Sequence, residues 1–296
     1  MYQDIGKLIG DGFGIWRRNL ILCMPFLLAT AFSLLAIVPL VAAMVGLLGS
    51  LPSTGSIASP VDIVSKMSTI LPDLAVAFLL FILVVFLVNS FFAAAGIAMS
   101  EQAVTEGKTS TTIMWSTGRR RFWDMFVASI LTGLITLAGL IFLLPGLMSL
   151  PSGAWKNLSE HPHAMGLIAL GALILVVYIL VLSLVLAAVP YALIVDILDP
   201  IGAIKASIRF FSYNKFDVFI MWIIVFAISL GLQMVVSSAA AAGAEASQAA
   251  LSVLVSALNV VVVAPLATVW WTSLYMSRTG KRLYQVGAEN AFDEPK

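Results

Sequence analysis

Residues 74–99 read LAVAFLLFILVVFLVNSFFAAAGIAM and contain no charged side chain. A bilayer hydrocarbon core requires about 20 apolar residues per helical span, so this stretch is long enough to cross a membrane. Across the 296 residues, hydrophobic side chains make up 61% and charged side chains 10%. Further uncharged runs cover residues 19–61, 125–155, 161–195, 218–244 and 246–277. This composition excludes a water-soluble protein and predicts an all-α polytopic membrane protein, because hydrocarbon leaves no partner for unpaired amides.

The six apolar runs predict six transmembrane helices. We place them near residues 20–48, 74–99, 123–148, 164–195, 217–243 and 250–277. Residues 1–284 are predicted to form a single transmembrane domain, and residues 285–296 a disordered cytoplasmic tail. The segment 50–73 contains several prolines and serines, which predict a loop with one helical turn near 61–70.

The basic residues are distributed unevenly between the two sets of connecting segments. Of the 16 lysines and arginines, only Lys66 and Lys156 lie in the loops 50–73 and 151–163. The others are Lys7, Arg17, Arg18, Lys108, Arg119, Arg120, Arg121, Lys205, Arg209, Lys215, Arg278, Lys281, Arg282 and Lys296. The positive-inside rule then places both termini in the cytoplasm.

Two segments outside the spans have the pattern of short cytoplasmic amphipathic helices. Asp199 and Pro200 have the types favoured at a helix N-cap and first helical position. Apolar and polar residues then alternate at helical spacing, with Ile201, Ile204, Ile208 and Phe211 opposite Lys205, Arg209 and Ser212. The N-terminal stripe consists of Ile5, Leu8, Ile9, Phe13 and Trp16. Its Gly6, Gly10 and Gly14 are four residues apart, which fits either a close helix contact or a flexible segment.

Similar short sequences precede the first, third and fifth spans. Residues 16–20, 121–125 and 214–218 each combine basic and aromatic residues with Asn or Asp, aligning Asn19 with Asp124 and Asp217. This similarity indicates either a true threefold repeat of helix pairs or a chance likeness between three short segments, and both interpretations stay open. Asp124, Asp199 and Asp217 are expected at helix N-termini, where a carboxylate interacts favourably with the helix dipole.

The basic cluster Arg119, Arg120 and Arg121, with Lys205 and Arg209, supplies the candidates for lipid-headgroup contacts. Such residues can anchor the topology on anionic lipid, or they can form a specific lipid-phosphate pocket.

Three amides, Asn89, Gln233 and Asn259, interrupt the apolar spans. They can hydrogen-bond between helices, which we favour, or they can line a substrate cavity. Tyr178 is predicted to be a core residue.

The sequence contains no recognisable catalytic set, cofactor motif or metal cluster. His161 and His163 with Glu160 are too closely spaced for tetrahedral metal coordination, and Cys23 is the single cysteine. The net charge of +1 excludes the broad basic surface that a nucleic-acid partner requires. We therefore expect no enzyme activity, no cofactor, no metal and no nucleic-acid partner.

Two motifs carry a resemblance to a known group. Residues 263–267 with 274–278 resemble the closing motif of YciC-like six-span integral membrane proteins, and residues 196–200 resemble the signature before their fifth span. That group is related to the membrane domain of glycerophosphoryl diester phosphodiesterases. The resemblance implies a six-helix fold in a prokaryotic plasma (inner) membrane, without phosphodiesterase activity because the soluble domain is absent.

We predict a non-enzymatic scaffold or accessory subunit that binds membrane lipid, another membrane protein or a second copy. The alternative is a transporter or permease component for a lipidic or uncharged substrate. That alternative would use the amides together with kinks at Pro25, Pro39, Pro145, Pro190 and Pro265, since an internal proline frees a backbone carbonyl.

Overall fold

The computed structural model describes residues 3–49, 60–150, 162–241 and 245–284. Within these ranges the chain is helical and contains no β-strand. The helices are α1 (Ile5–Arg18), α2 (Met24–Gly49), α3 (Pro60–Glu106), α4 (Thr111–Leu137), α5 (Leu144–Met148), α6 (Pro162–Val185), α7 (Val189–Val195), α8 (Pro200–Tyr213), α9 (Lys215–Ala241), α10 (Glu245–Leu258) and α11 (Ala264–Arg278).

The structure confirms six helical segments long and apolar enough to span a membrane. They cover Leu20–Gly46, Leu71–Glu106, Thr111–Met148, Pro162–Val195, Lys215–Ser238 and Gln248–Arg278. The first, fourth, fifth and sixth segments follow the predicted spans closely, because the apolar runs set the length of these helices. The second extends beyond its predicted end at residue 99 to Glu106, and the third begins at Thr111 instead of residue 123. The protein is therefore a multi-pass membrane protein.

Four spans are interrupted just before a proline. Turns of 3₁₀-helix at Leu20–Cys23 and Ala138–Leu143 precede Pro25 and Pro145. A turn at residues 186–188 precedes Pro190, and a π-helical turn at Asn259–Val263 precedes Pro265. The predicted interruptions thus occur at four of the five prolines, whereas Pro39 lies inside the continuous helix α2.

The six spans form three hairpins that join at one end. Helix α2 packs on α3, α5 packs on α6, and α9 packs on α10. We call the end that carries α1, α8 and residues 279–284 the basic end. There α3, α7 and α11 pack together, and among the described residues the fully buried side chains, such as Met99, Leu193 and Leu274, concentrate at this end.

Helix α1 packs against α11 with a face that matches the predicted stripe only in part. Leu8 is buried, and Ile9 and Trp16 pack at the edge of the core as predicted. Gly12 and Ile15 are buried as well, whereas Phe13 is 48% exposed. A Cβ atom added to Gly12 would lie 2.5 Å from Cδ1 of Trp270. The close contact therefore involves Gly12, which is not in the predicted glycine series, whereas a Cβ atom at Gly10 would meet no other atom within 4 Å.

Helices α1 and α8 end in the same geometry. Asn19 and Asn214 follow their last residues at φ −126° and −127°. Each side-chain amide donates to the carbonyl four residues earlier, Ile15 or Phe210, over 3.0 Å. The structural equivalent of Asn19 is therefore Asn214, and the alignment with Asp217 was wrong by three residues.

The second unit differs because its interfacial segment is continuous with the third span. Helix α3 extends to Glu106 and α4 begins at Thr111, so the long connection expected over residues 101–124 is wrong. Asp124 consequently lies inside α4, where it pairs with Arg121 at 2.8 Å instead of starting a helix. The loop expected before span two is also shorter, since α3 begins at Pro60.

Helix α8 begins where the sequence predicts. The Asp199 carboxylate accepts a hydrogen bond from the Gly202 backbone N–H at 3.3 Å, and Pro200 is the first helical residue. Just before this cap, Ile197 has a φ of +56°, which is unfavourable for a β-branched residue. The connection from α7 to α8 is therefore a tight, strained turn.

Candidate functional site

A groove of about 740 Å³ lies between spans three and four, with Phe86 of span two at its edge. Apolar side chains dominate it. Its hydroxyl-bearing residues are Ser129, Thr132, Thr136 and Ser183. Within the described chain, no charged residue lines the groove. Because bound ligands bury mostly apolar surface in pockets of about 300–1,000 Å³, the groove suits an apolar chain with few polar atoms.

Three of these four groove hydroxyls donate within their own helices. Thr132 donates to the Ser129 carbonyl at 3.0 Å, Thr136 to that of Thr132 at 2.9 Å, and Ser183 to that of Leu180 at 2.7 Å. Sequence reasoning missed this group. Its signal is the spacing of Ser129, Thr132 and Thr136, which places three hydroxyls on one face of a helix.

The interruption in span four forms one wall of the groove. Leu186, Ala187, Val189 and Pro190 all line it. The Val189 N–H donates to the Leu186 carbonyl at 3.1 Å instead of continuing the α-helical pattern. The Val185 carbonyl accepts a hydrogen bond from Ser207 Oγ of α8 at 2.7 Å. Helix α8 is thus attached directly to the groove wall.

Two other interruptions are bridged by side chains in the same way. The Cys23 thiol donates to the Val261 carbonyl at 2.9 Å, four residues before Pro265, which has no N–H to offer. The Tyr178 hydroxyl donates to the Ile135 carbonyl at 2.6 Å, where α4 gives way to the 3₁₀ turn. These side chains satisfy carbonyls that would otherwise be costly in hydrocarbon.

We expect Ser207→Ala to lower the free energy of unfolding by about 1 kcal/mol, because the Val185 carbonyl loses its donor. Ser207 is fully buried. Thermal unfolding in mild detergent measures the loss. Ser212→Ala is the matched control, since this exposed hydroxyl on α8 bonds only within its helix, to Ile208 at 2.8 Å. Equal losses in both variants would contradict the bridging role.

Ionised side chains at the basic end close the bundle. Asp196 accepts a hydrogen bond from the Tyr275 hydroxyl and pairs with Lys281 at 2.6 Å. Asp217 pairs with Arg278 at 2.6 Å. These pairs join α7 and α9 to the C-terminal end of α11. They were not predicted, because their partners are far apart in sequence.

The chain termini meet at the same place. Arg278 donates to the Gln3 carbonyl at 2.8 Å, and the Gln3 N–H contacts Ser277 Oγ at 3.3 Å. This arrangement holds both described ends of the chain on one side of the bundle.

The predicted headgroup residues lie on α4 and α8 at the basic end. Arg119, Arg120, Lys205 and Arg209 are exposed, and Arg121 is largely covered while paired with Asp124. The structure therefore does not gather these cations into one pocket, and their contact with lipid headgroups stays a prediction.

The predicted amides Asn89, Gln233 and Asn259 lie on the outer surface of the bundle. Asn89 donates to the Val85 carbonyl of its own helix at 2.8 Å, and Asn259 lies in the π-helical turn. None of the three lines the groove between spans three and four.

The match to a known protein family covers nearly the whole helical bundle. The family model described as a domain of unknown function, DUF7847, matches residues 4–277, from the cap of α1 to the last turn of α11. The chain belongs to the DUF7847 family. An uncharacterized protein of Archaeoglobus fulgidus is similar to this DUF7847 chain, with 23% identity over 294 residues covering 94% of the chain and 97% of the relative. No solved structure matches it.

Neither of these matches links the DUF7847 chain to YciC-like proteins or to glycerophosphoryl diester phosphodiesterases. That resemblance stays a prediction, and DUF7847 membership is what the comparisons show.

Proposed function

We propose that this DUF7847 protein is a non-enzymatic scaffold or accessory subunit of a prokaryotic plasma membrane that binds a lipid chain in the groove between spans three and four. The uneven distribution of lysine and arginine supports a cytoplasmic location for both termini. The observation that carries the proposal is the groove itself, with a volume of about 740 Å³ and a lining of apolar side chains and hydroxyls.

The lining favours a lipid chain over a polar solute. A charged or strongly polar solute would leave its polar groups without partners against this surface, which is unfavourable. Thr132, Thr136 and Ser183 already donate to helix carbonyls, so their hydroxyls offer a ligand only acceptor oxygens. A membrane lipid can reach such a groove from the bilayer and bury apolar surface there.

The attachment of the groove wall supports a fixed binding site. Ser207 holds the interrupted part of span four through the Val185 carbonyl, and Tyr178 joins span four to Ile135 of span three. Two walls that are hydrogen-bonded at their interruptions suit a scaffold that presents bound lipid.

The second candidate is a transporter or permease component for a lipidic or uncharged substrate. The specific observation in its favour is that interrupted spans form the groove, as discontinuous helices form the substrate sites of many transporters. Residues 186–188 and the 3₁₀ turn Ala138–Leu143 are the interruptions concerned.

Lipid binding in the groove can be tested by introducing a large side chain that occupies the groove without colliding with neighbouring atoms. A Cβ atom at Gly133, which lines the groove, would have no other atom within 4 Å. Gly133→Phe is therefore expected to fold and to lose most of the lipid that co-purifies with the wild-type protein, as counted by native mass spectrometry from mild detergent. Gly231→Phe is the matched control, since Gly231 has similar open space on α9 outside the groove.

Unchanged lipid retention in Gly133→Phe would rule out the groove as the binding site. A wild-type protein that is strictly monomeric, with neither lipid nor partner, would contradict the scaffold role. In vesicles, wild-type-dependent movement of a labelled lipid between leaflets, abolished by Gly133→Phe, would instead establish the transporter.

A further inference from the structure

A second pocket lies on another side of the bundle, at the corner where α8 turns into α9. It has a volume of about 350 Å³ and is lined by Leu184, Phe211, Lys215, Phe216 and Phe219. Leu184 is buried, whereas Phe216 is 73% exposed. The pocket therefore combines a deep apolar wall with an open aromatic edge and one cation. It shares no lining residue with the groove between spans three and four.

Helix α8 carries an exposed apolar stripe that ends at this pocket. Its packed face consists of Ala203, Ser207 and Phe210, while Ile201 and Ile208 remain 57% and 46% exposed. The exposed isoleucines belong to the apolar stripe that ends in Phe211, one of the pocket residues. The exposed Lys205 and Arg209 lie beside this stripe and not opposite it as predicted, because Ala203, Ser207 and Phe210 form the buried face. A cationic edge beside an apolar stripe is typical of helices that lie at a membrane surface.

The cation stands at the polar end of the fifth span. Lys215 is the first residue of α9 and of the apolar segment that is long enough to cross a membrane, and residues at such span ends lie near the headgroups. Phe219 follows one turn deeper in the same helix, and Leu184 lies in span four. A lipid chain can therefore lie along Leu184 and Phe219 while its phosphate group is within reach of the Lys215 ammonium group.

We infer that this corner binds one anionic phospholipid, with a chain in the pocket and the headgroup at Lys215. The inference is independent of the proposed groove. Apolar walls and a cation together match the two halves of such a lipid, whereas a free phosphate ion would meet only one exposed lysine. The nearby Lys205 and Arg209, both exposed on α8, add positive charge that favours a negatively charged headgroup.

The test measures thermal unfolding of the full chain in mild detergent during titration with dioleoyl phosphatidylglycerol, dioleoyl phosphatidylcholine or inorganic phosphate. We expect phosphatidylglycerol to raise the Tm of the wild type more than phosphatidylcholine, and inorganic phosphate to have no effect. Lys215→Gln is expected to weaken the apparent phosphatidylglycerol affinity about fivefold. Its response to phosphatidylcholine should remain unchanged, and Lys215→Arg should retain the preference.

Lys108→Gln is the matched control, because Lys108 is an exposed basic residue in the loop between α3 and α4. It should keep the phosphatidylglycerol preference. The inference is overturned if Lys215→Gln keeps that preference, if the two lipids act equally on the wild type, or if inorganic phosphate reproduces the stabilisation. Gly133→Phe should keep the preference even if it loses groove lipid, so failure of one site is distinguishable from failure of the other.

Discussion

Replacing Gly171 by alanine is expected to lower the free energy of unfolding by about 3 kcal/mol, which is at the upper end of typical overpacking effects. A Cβ atom at this position would lie 2.3 Å from the Phe142 carbonyl oxygen and 3.4 Å from Cα of Leu143. Both atoms belong to the backbone, so no side-chain rotation can make room. The substitution must separate spans three and four or bend one of them.

Unfolding of the purified Gly171→Ala protein in mild detergent measures this loss. Gly166→Ala is the matched control in the same helix, because a Cβ atom there would meet no other atom within 4 Å. It should be neutral or slightly stabilising, since alanine is the better helix former. Similar stabilities of the two variants would show that the close approach at Gly171 does not hold the hairpin.

Replacing Arg278 by methionine is expected to lower the free energy of unfolding by about 3–5 kcal/mol, because it removes the guanidinium group that pairs with the buried Asp217 carboxylate. The Arg278 side chain is 1% exposed and that of Asp217 is 12% exposed, and their Nε and Oδ2 atoms are 2.6 Å apart. The same guanidinium also donates to the Gln3 carbonyl. Its loss therefore loosens both the start of α9 and the N-terminal segment.

The double variant Arg278→Met with Asp217→Asn distinguishes the stability lost through the charge pair from the stability lost through altered packing. Removing both charges should recover a substantial part of the loss, because the penalty arises mainly from a buried negative charge that no longer faces the Arg278 guanidinium group. Arg282→Met is the control on an exposed cation nearby and should change stability little. If the double variant is no more stable than Arg278→Met alone, the charge pair is not the cause.

Much of the fold follows from local sequence, and the spans are the clearest case. Apolar length alone places the six helices, and the Asp199 and Pro200 pair correctly predicts the start of α8. The fusion of α4 with its interfacial segment was not predicted, because polar residues at 119–124 have the same appearance whether a helix continues or ends there. Only packing of α4 on α3, with Gly118 against the Phe91 ring, distinguishes the two.

The candidate sites depend more strongly on distant contacts. The spacing of the hydroxyls on span three can be read from the sequence, but the opposite wall of the groove is the interrupted part of span four, to which Ser207 of another helix is hydrogen-bonded. The pairing of Asp196 with Tyr275 and Lys281 joins residues about 80 positions apart, and no local pattern identifies such partners. The corner pocket likewise arises where Leu184 meets the start of α9.

The concentration of the core at the basic end has a consequence for biosynthesis. Residues 269–277 of α11 form an unbroken buried run, and they are translated after every other span. The first hairpin therefore enters the bilayer with the Ala94 to Met99 face still lacking its final neighbour. A chain that ends before residue 264 would therefore hold five inserted spans while the α3 surface that packs on α11 remains uncovered.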